Sequence, residues 1–280
     1  MTYSDFPTHS PLLTDLYELT MLQAYYLQGM QERAVFSLFS RKLPSRRNYL
    51  VACGLQPVLE YLEGLSFSEE EIDYLRSLGM FRESFLEWLR SFRFSGDVYA
   101  VPEGTVVFPD EPLLEVEAPI GEAQLLETLI LNRIHYSTLA ATKAARVVTA
   151  AAGRKVIDFG FRRIHGLEAG VQAARAFAVA GVSATSNVYA GYLLGLPVSG
   201  TMAHSYIQAH GEEMEAFRNF ASVYPHTILL VDTYDTLEGV RRVIRLAEEL
   251  GENFTIQGVR VDSDDLHNTT RKVRQMLDEA

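Results

Sequence analysis

The sequence predicts an α/β fold, because short apolar runs alternate with helical stretches from residue 155 onward. The runs end in small or polar residues, as strands of a parallel sheet do where a ligand meets their carboxyl edge. We therefore expect a barrel or an open parallel sheet with its site at that edge. The predicted strands cover residues 155–160, 182–186, 197–204, 227–232 and 255–262.

The stretches that follow these runs have the apolar spacing of helices. They cover residues 168–180, 206–223, 237–250 and 265–280. A closed barrel of the usual kind has about eight strands, more than these runs supply. We therefore expect that the sequence is cut short, or that the fold is completed by something outside it.

The N-terminal region predicts a smaller α+β domain. Helical spacing over residues 12–28 indicates a helix that Thr14 or Asp15 is suited to cap. Residues 34–39 predict a strand, which a basic turn follows. Further helices are expected over 68–78, where Ser68 precedes three glutamates, over 81–92, and over 122–152.

A β-rich segment closes this domain. Short alternating runs in residues 96–117 are interrupted by proline and glycine, which is typical of strands and turns. We therefore assign residues 1–120 to an N-terminal α+β domain. Residues 121–280 are assigned to an α/β barrel domain, which we expect to be incomplete at its C-terminus.

Composition excludes several classes of protein. The 280 residues are 48% hydrophobic and 22% charged, which excludes a disordered chain. The net charge of −11 argues against general binding to nucleic acid or anionic membranes. A single cysteine, Cys53, excludes an internal disulfide and predicts a reducing, cytoplasmic location. We also expect no signal peptide and no membrane span.

The polar strand ends are the candidate site, and each has more than one interpretation. The segment 158–163 (DFGFRR) suits a flat anionic ligand, or it is a surface turn whose phenylalanines pack under a helix. The segment 184–187 (ATSN) either binds an anion or caps a helix, and capping is the better interpretation. His204 is a nucleophile, an acid–base group or a structural residue.

Carboxylates follow the last two strands. Asp232 and Asp262 can bind Mg²⁺ or ribose hydroxyls, whereas Asp235 and Asp264 or Asp265 also suit helix capping. Arginine, histidine and aspartate at neighbouring strand ends of an acidic protein together indicate a phosphorylated substrate bound with Mg²⁺.

Five segments in this order resemble the nicotinate phosphoribosyltransferase family. They are 12–21 (LLTDLYELTM), 158–163 (DFGFRR), 185–188 (TSNV), 200–204 (GTMAH) and 259–263 (VRVDS). The resemblance implies an irregular (β/α) barrel of phosphoribosyltransferase type with a smaller domain. It also implies formation of nicotinate mononucleotide and pyrophosphate from nicotinate and phosphoribosyl pyrophosphate in NAD biosynthesis. The resemblance further implies that the reaction is coupled to ATP hydrolysis, uses Mg²⁺ and takes place in a homodimer that shares its active sites.

The resemblance also implies roles for individual residues. His204 matches the histidine that ATP phosphorylates, and Asp232 and Asp262 match acids near ribose and Mg²⁺. The other matches bind substrate. Phe159 and the neighbouring subunit's Tyr17 match the aromatics that sandwich the pyridine ring, and Arg162 and Arg260 match arginines near the base and the phosphates. Arg41 matches a residue that reaches phosphate across the interface, and Thr185 and Ser186 belong to the substrate-binding segment after the second predicted strand.

Two features of the sequence bear on these roles. Ser186 stands where related nicotinamide-using enzymes have an aspartate, and a neutral serine suits a carboxylated base better. Asp264 stands where the family pattern has glycine, which is the residue best suited to a positive φ. The alternatives are a non-catalytic or truncated homologue acting as a binding or oligomerisation subunit, and a phosphoribosyltransferase for nicotinamide or quinolinate.

Overall fold

The computed structural model describes residues 10–280, and the chain divides into two compact units, Met1–Val198 and Ser199–Ala280. The domain boundary expected between residues 120 and 121 therefore does not coincide with the division between these units. Within residues 10–280, none of the helices combines the length and the apolar character that crossing a bilayer requires.

The first unit contains helices and strands of both halves of the sequence. Its helices are α1 (Leu16–Gln28), α2 (Leu55–Gly64), α3 (Glu69–Ser77), α4 (Glu83–Arg90), α5 (Ile120–Leu125), α6 (Glu127–Ala150), α7 (Leu167–Val179) and α8 (Val188–Leu194). Its strands are β1 (Arg33–Phe39), β2 (Leu50–Val51), β3 (Asp97–Ala100), β4 (Val106–Val107), β5 (Pro112–Pro119), β6 (Ile157–Asp158) and β7 (Ala184–Thr185).

The largest sheet of the first unit is antiparallel, with the strand order β1-β5-β3. The alternate residues Leu114, Val116 and Ala118 of β5 are buried, because successive side chains of a strand point to opposite faces. The core that they join includes Leu22 of α1 and Phe85 of α4. Burial of such large apolar side chains stabilises the fold by about 1.5–3 kcal/mol each.

Helix α3 begins as the sequence predicts. The Ser68 hydroxyl accepts the backbone N–H of Glu71 at 3.2 Å, and the Glu71 carboxylate accepts the backbone N–H of Ser68 at 2.8 Å. This reciprocal cap satisfies two backbone donors that the helix itself leaves unpaired. The predicted helix start is confirmed.

The second unit contains helices α9 (His204–Ala209), α10 (Glu213–Val223), α11 (Thr236–Leu250) and α12 (Leu266–Glu279), with strands β8 (Ile228–Leu230) and β9 (Gly258–Arg260). Strands β8 and β9 are parallel, as β6 and β7 are in the first unit. A helix follows each of these strands, so the predicted α/β class is confirmed.

Two predicted elements are wrong. Residues 197–204 do not form a strand, and their only ladder contact is an isolated parallel bridge from Val198 to Thr185. Pro197 has no backbone N–H to donate, and His204 already begins α9. The helix predicted over 206–223 is broken between α9 and α10, where Gly211 has a φ of 74°.

Candidate active site

The second unit brings His204 and Asp232 together, although 28 residues separate them in the sequence. The ring Nε2 of His204 lies 3.2 Å from Oδ1 of Asp232. The other carboxylate oxygen, Oδ2, accepts the backbone N–H of Asp262 at 2.9 Å and the hydroxyl of Ser263. The Asp232 side chain is 0% exposed and that of His204 is 39% exposed. A fully buried carboxylate thus supports a histidine ring that solvent reaches.

These contacts determine the charge of Asp232. Burial by itself raises the pKa of Asp232, but the hydrogen bonds from Ser263 and Asp262, together with His204, lower it below its ordinary value. Asp232 is therefore an anion at neutral pH and acts only as an acceptor. Because an anionic oxygen faces Nε2, that nitrogen carries the proton, and Nδ1 of a neutral His204 has the lone pair.

Local packing explains how Asp232 reaches this position. It follows the buried strand β8, and helix α11 passes so close that a Cβ on Gly239 would lie 2.2 Å from the backbone oxygen of Val231. Only glycine allows this approach. Asp235 accepts the backbone N–H of Glu238 at 2.7 Å and so caps α11, as the sequence predicts. The roles of Gly239 and Ser263 were not predicted from the sequence. For Gly239, its position inside a helical pattern was the signal that could have indicated close packing.

The segment after β9 contributes backbone as well as side chains. Arg260 donates through Nη2 to the backbone oxygen of Met202 at 3.0 Å, which joins β9 to the segment before His204. Asp262 is exposed, and its backbone N–H is the group that reaches Asp232. Asp264 has a φ of 67°, so it keeps the left-handed conformation for which glycine is better suited. Its carboxylate accepts the hydroxyl of Thr236 at 3.3 Å.

In the first unit, the ends of β6 and β7 form a hydrogen-bonded loop pair. The Asp158 carboxylate accepts the hydroxyl of Thr185 at 3.0 Å and the backbone N–H of Gly160 at 2.7 Å. Ser186 donates its backbone N–H to the backbone oxygen of Asp158 at 2.8 Å. The Thr185 hydroxyl also accepts the backbone N–H of Asn187 at 3.1 Å, so this buried side chain serves the loop itself. Asn187 caps α8, as preferred above.

The two phenylalanines after β6 behave differently. Phe161 packs against α7, where a Cβ on Gly170 would lie 2.4 Å from its ring. Phe159 is 39% exposed, and Arg162 is exposed without a hydrogen bond or ion pair to another described residue. The interpretation that a ring packs under the helix is therefore confirmed for Phe161. Phe159, which is partly exposed, and Arg162 lie at the end of β6.

Tyr17 and Arg41 are also exposed. Tyr17 contacts Glu127, and Arg41 lines the same cavity as Glu127. The hydroxyl of Tyr17 lies 3.4 Å from Oε1 of Glu127, a long hydrogen bond. Glu127 and Arg41 line one cavity of about 550 Å³, between β1, β5 and the start of α6. Arg41 extends from the turn after β1, together with Lys42.

The described residues 10–280 contain no group of three or more histidine, cysteine, aspartate or glutamate side chains suited to hold a metal ion. The exposed carboxylate of Asp262 takes no hydrogen bond from another described residue. Mg²⁺ is usually bound by one or two carboxylates together with substrate phosphates and water. Asp262 therefore fits a magnesium ion that arrives with a phosphorylated substrate.

Comparisons with known proteins cover almost the whole chain. Residues 12–135 match the model of the nicotinate phosphoribosyltransferase N-terminal domain, and residues 154–278 match the nicotinate phosphoribosyltransferase family model. Nicotinate phosphoribosyltransferase pncB2 of Mycobacterium tuberculosis is 53% identical over 269 residues, which are 96% of this chain and 58% of that protein. The Bacillus subtilis nicotinate phosphoribosyltransferase is 44% identical over 96% of this chain and 55% of its own length.

Solved structures agree in fold. The crystal structure of human nicotinic acid phosphoribosyltransferase matches with a TM-score of 0.84 and 30% identity, over 95% of this chain and 64% of that chain. A nicotinate-nucleotide pyrophosphorylase from Pyrococcus furiosus matches in fold, with a TM-score of 0.79. These similarities confirm the predicted phosphoribosyltransferase type of α/β fold. The chain spans somewhat more than half the length of the curated relatives that it matches.

Proposed function

Since the chain belongs to the nicotinate phosphoribosyltransferase family, we propose that it forms nicotinate mononucleotide and pyrophosphate from nicotinate and phosphoribosyl pyrophosphate, in NAD biosynthesis. Two relatives that it matches over 96% of its length are nicotinate phosphoribosyltransferases, which supports this reaction. The geometry of the second unit supports a phosphorylation step, because an anionic, buried Asp232 lies against the exposed ring of His204. That pair is the observation on which the proposal depends.

In this proposal His204 is the group that ATP phosphorylates. Nδ1 attacks the γ-phosphorus of ATP, so that an N–P bond forms while the P–O bond to ADP breaks. The proton on Nε2 stays in place, and the positive charge that develops on the ring is stabilised by Asp232. The phosphoryl group adds negative charge in the unit that contains Arg260, which changes the relative affinity for substrates and products and so couples ATP hydrolysis to the transfer.

The base is recognised in the first unit. We assign Phe159 as one aromatic face for the pyridine ring and Tyr17 of a neighbouring subunit as the other. Stacking of this kind contributes about 0.5–1.5 kcal/mol beyond area burial. Arg162, which is exposed without a partner among the described residues, suits the carboxylate of nicotinate. Ser186 is neutral, so it does not repel that carboxylate as an aspartate would.

The sugar and phosphates are assigned to the remaining residues. Arg260 and Arg41 suit phosphate oxygens, and Asp262 suits the ribose or Mg²⁺. When bound, Mg²⁺ would neutralise charge on the pyrophosphate that leaves. The protein's own contribution is to orient the base nitrogen toward the anomeric carbon and to exclude competing water.

A homodimer and a cytoplasmic location belong to the same proposal. Tyr17 is 45% exposed, so its ring is open to contact with a second copy of the chain, which supports the dimer. Sedimentation-velocity measurement of the purified chain tests the dimer, which the proposal predicts at micromolar concentration.

The deciding experiment supplies nicotinate, nicotinamide or quinolinate in turn, each with phosphoribosyl pyrophosphate, Mg²⁺ and ATP. Product mononucleotides are separated and identified by mass spectrometry. The proposal predicts product from nicotinate, and it predicts that His204→Ala loses the acceleration by ATP while remaining folded. Full ATP-coupled turnover in that variant would remove the role of His204, and product from another base would reassign the substrate.

The non-catalytic alternative has its own signature. A subunit that only binds or oligomerises would form dimers yet show neither turnover nor heat of binding with phosphoribosyl pyrophosphate and Mg²⁺. Isothermal titration calorimetry on the same preparation therefore separates this alternative from an active enzyme.

A further inference from the structure

A polar link joins the start of α1 to helices α5 and α6. Gln124 of α5 is 6% exposed, and its Nε2 donates to Oε2 of Glu18 at 2.8 Å and to Oε2 of Glu127 at 2.8 Å. Glu18 follows Tyr17 in the first turn of α1 and is 0% exposed. The other oxygen of Glu127 lies 3.4 Å from the hydroxyl of Tyr17. One amide group therefore connects two carboxylates, and the phenol of Tyr17 interacts with both of them.

The charges around this link make the amide important. Neither Glu18 nor Glu127 forms an ion pair with a cation in the described part of the chain. A third carboxylate, that of Asp15, accepts the hydroxyl of Thr128 at 2.9 Å. Carboxylates this close repel one another unless neutral donors or protons separate them. Burial, and to a smaller extent the charge of Glu127, raises the pKa of Glu18.

We propose that Gln124 is a positioning residue for the ring of Tyr17. Its amide holds the carboxylates of Glu18 and Glu127 together, and Glu127 in turn limits where the phenol of Tyr17 lies. An exposed ring that is already ordered loses less conformational entropy when it stacks on a ligand. This inference rests on the proposed function, in which Tyr17 covers one face of the pyridine ring.

The first test measures the order of the ring without requiring activity. The chain is labelled with ¹³C-tyrosine, Tyr17→Phe identifies the Tyr17 resonances, and ring-carbon relaxation is measured at neutral pH. We expect an order parameter near about 0.8 in the wild type and below about 0.6 in Gln124→Leu. An unchanged order parameter in Gln124→Leu would overturn the proposal.

The second test uses steady-state kinetics with nicotinate. A ring that stacks equally in ground and transition states affects KM and leaves kcat unchanged. Gln124→Leu and Gln124→Glu should raise the KM for nicotinate about 2- to 12-fold, the range that loss of one aromatic stack predicts. The KM for phosphoribosyl pyrophosphate should stay the same. In Gln124→Glu, a lower pH should restore the KM for nicotinate, because the protonated carboxyl regains a donor.

A matched control separates positioning from stability. Leu22 of α1 packs against α5, where its Cδ1 lies 2.8 Å from a Cβ built on Gly121. Leu22→Val therefore weakens the same helix pair without touching the polar link, and it should lower Tm while leaving both KM values unchanged. A rise in the KM for nicotinate in Leu22→Val, or no rise in Gln124→Leu, would contradict the positioning role.

The two proposals fail separately. If the wild type makes no nicotinate mononucleotide while the Tyr17 ring loses order in Gln124→Leu, the proposed function fails and the link between Gln124 and Tyr17 is supported. If the wild type is active and the ring order does not change, the inference fails and the proposed function stands.

Discussion

Replacing Asp232 by asparagine should reverse the tautomer of His204. The variant keeps the shape of the side chain but exchanges one carboxylate oxygen for an NH₂ group. Asp262 N–H and the Ser263 hydroxyl both donate to Oδ2, so the amide oxygen has to take that side. The NH₂ then faces Nε2 of His204, which must become an acceptor, and the proton moves to Nδ1.

The size of the effect follows from the contacts. Hydrogen bonds to a charged group contribute about 1.5–3 kcal/mol and neutral ones about 0.5–1.5 kcal/mol, so two bonds that become neutral lose about 2 kcal/mol. Release from burying a charge offsets part of this, which leaves a net destabilisation of about 1 kcal/mol at pH 7. Because the folded pKa of Asp232 is lowered, its contribution is present above about pH 4 and is lost as pH falls further.

Long-range ¹H–¹⁵N spectra of the histidine side chains measure the tautomer directly, and His204→Ala identifies the signal. We expect the Nε2–H form in the wild type and the Nδ1–H form in Asp232→Asn, with ATP-coupled turnover reduced about 10²- to 10⁴-fold. Ser263→Ala is the matched control, because it removes the hydrogen bond that the Ser263 hydroxyl donates to Asp232 but keeps the negative charge of Asp232. An Nε2–H form with normal turnover in Asp232→Asn would refute the reasoning.

Three further predictions concern stability and reactivity. Gly239→Ala should lower the free energy of unfolding by about 1–3 kcal/mol, because the added Cβ meets the Val231 backbone oxygen at 2.2 Å. This cost exceeds the gain from alanine's better helix propensity. Urea denaturation measures the change, and a stabilised variant would contradict the prediction. The pKa of Glu18 is raised in the folded protein, so its ionised form destabilises the fold at pH values above the pKa of the unfolded chain. Glu18→Gln should therefore raise Tm at pH 7 and lose that advantage as pH falls toward about 4. Thermal melts measured across this pH range test the sign of the effect. Cys53 should react with a thiol reagent only as fast as the protein opens, because burial raises the pKa of its thiol to about 12; rapid labelling of the native chain would oppose this.

Much of the fold follows from local patterns. Ser68 and the glutamates after it predict the start of α3, and the alternation of apolar runs with helical stretches predicts the parallel pairs. Helix α2 was missed, since its start at Gly54 has no side-chain cap to signal it. The false strand at 197–204 shows the limit of apolar runs as evidence, because a strand forms only where a neighbour supplies a ladder.

The site was predictable in part for a related reason. Asp232 follows β8, as the rule for the polar ends of parallel strands predicts. His204 lies beside it, but at the start of α9 and not at the end of the strand that the sequence predicted. The role of Ser263 depends on the orientation of one hydroxyl, and that of Gly239 on the approach of a helix to a strand end. Such distances are set by tertiary packing, which a single sequence does not encode locally.

Phosphorylation of His204 is the most direct test of the proposed chemistry. The purified chain is incubated with Mg²⁺ and ATP, digested at alkaline pH, and its peptides are analysed by mass spectrometry. The proposal predicts a phosphoryl group on the peptide that contains His204, stable in alkali and lost in acid, and absent from His204→Ala. A chain that makes nicotinate mononucleotide with ATP yet carries no phosphoryl group there, or carries it on another histidine, would contradict the account.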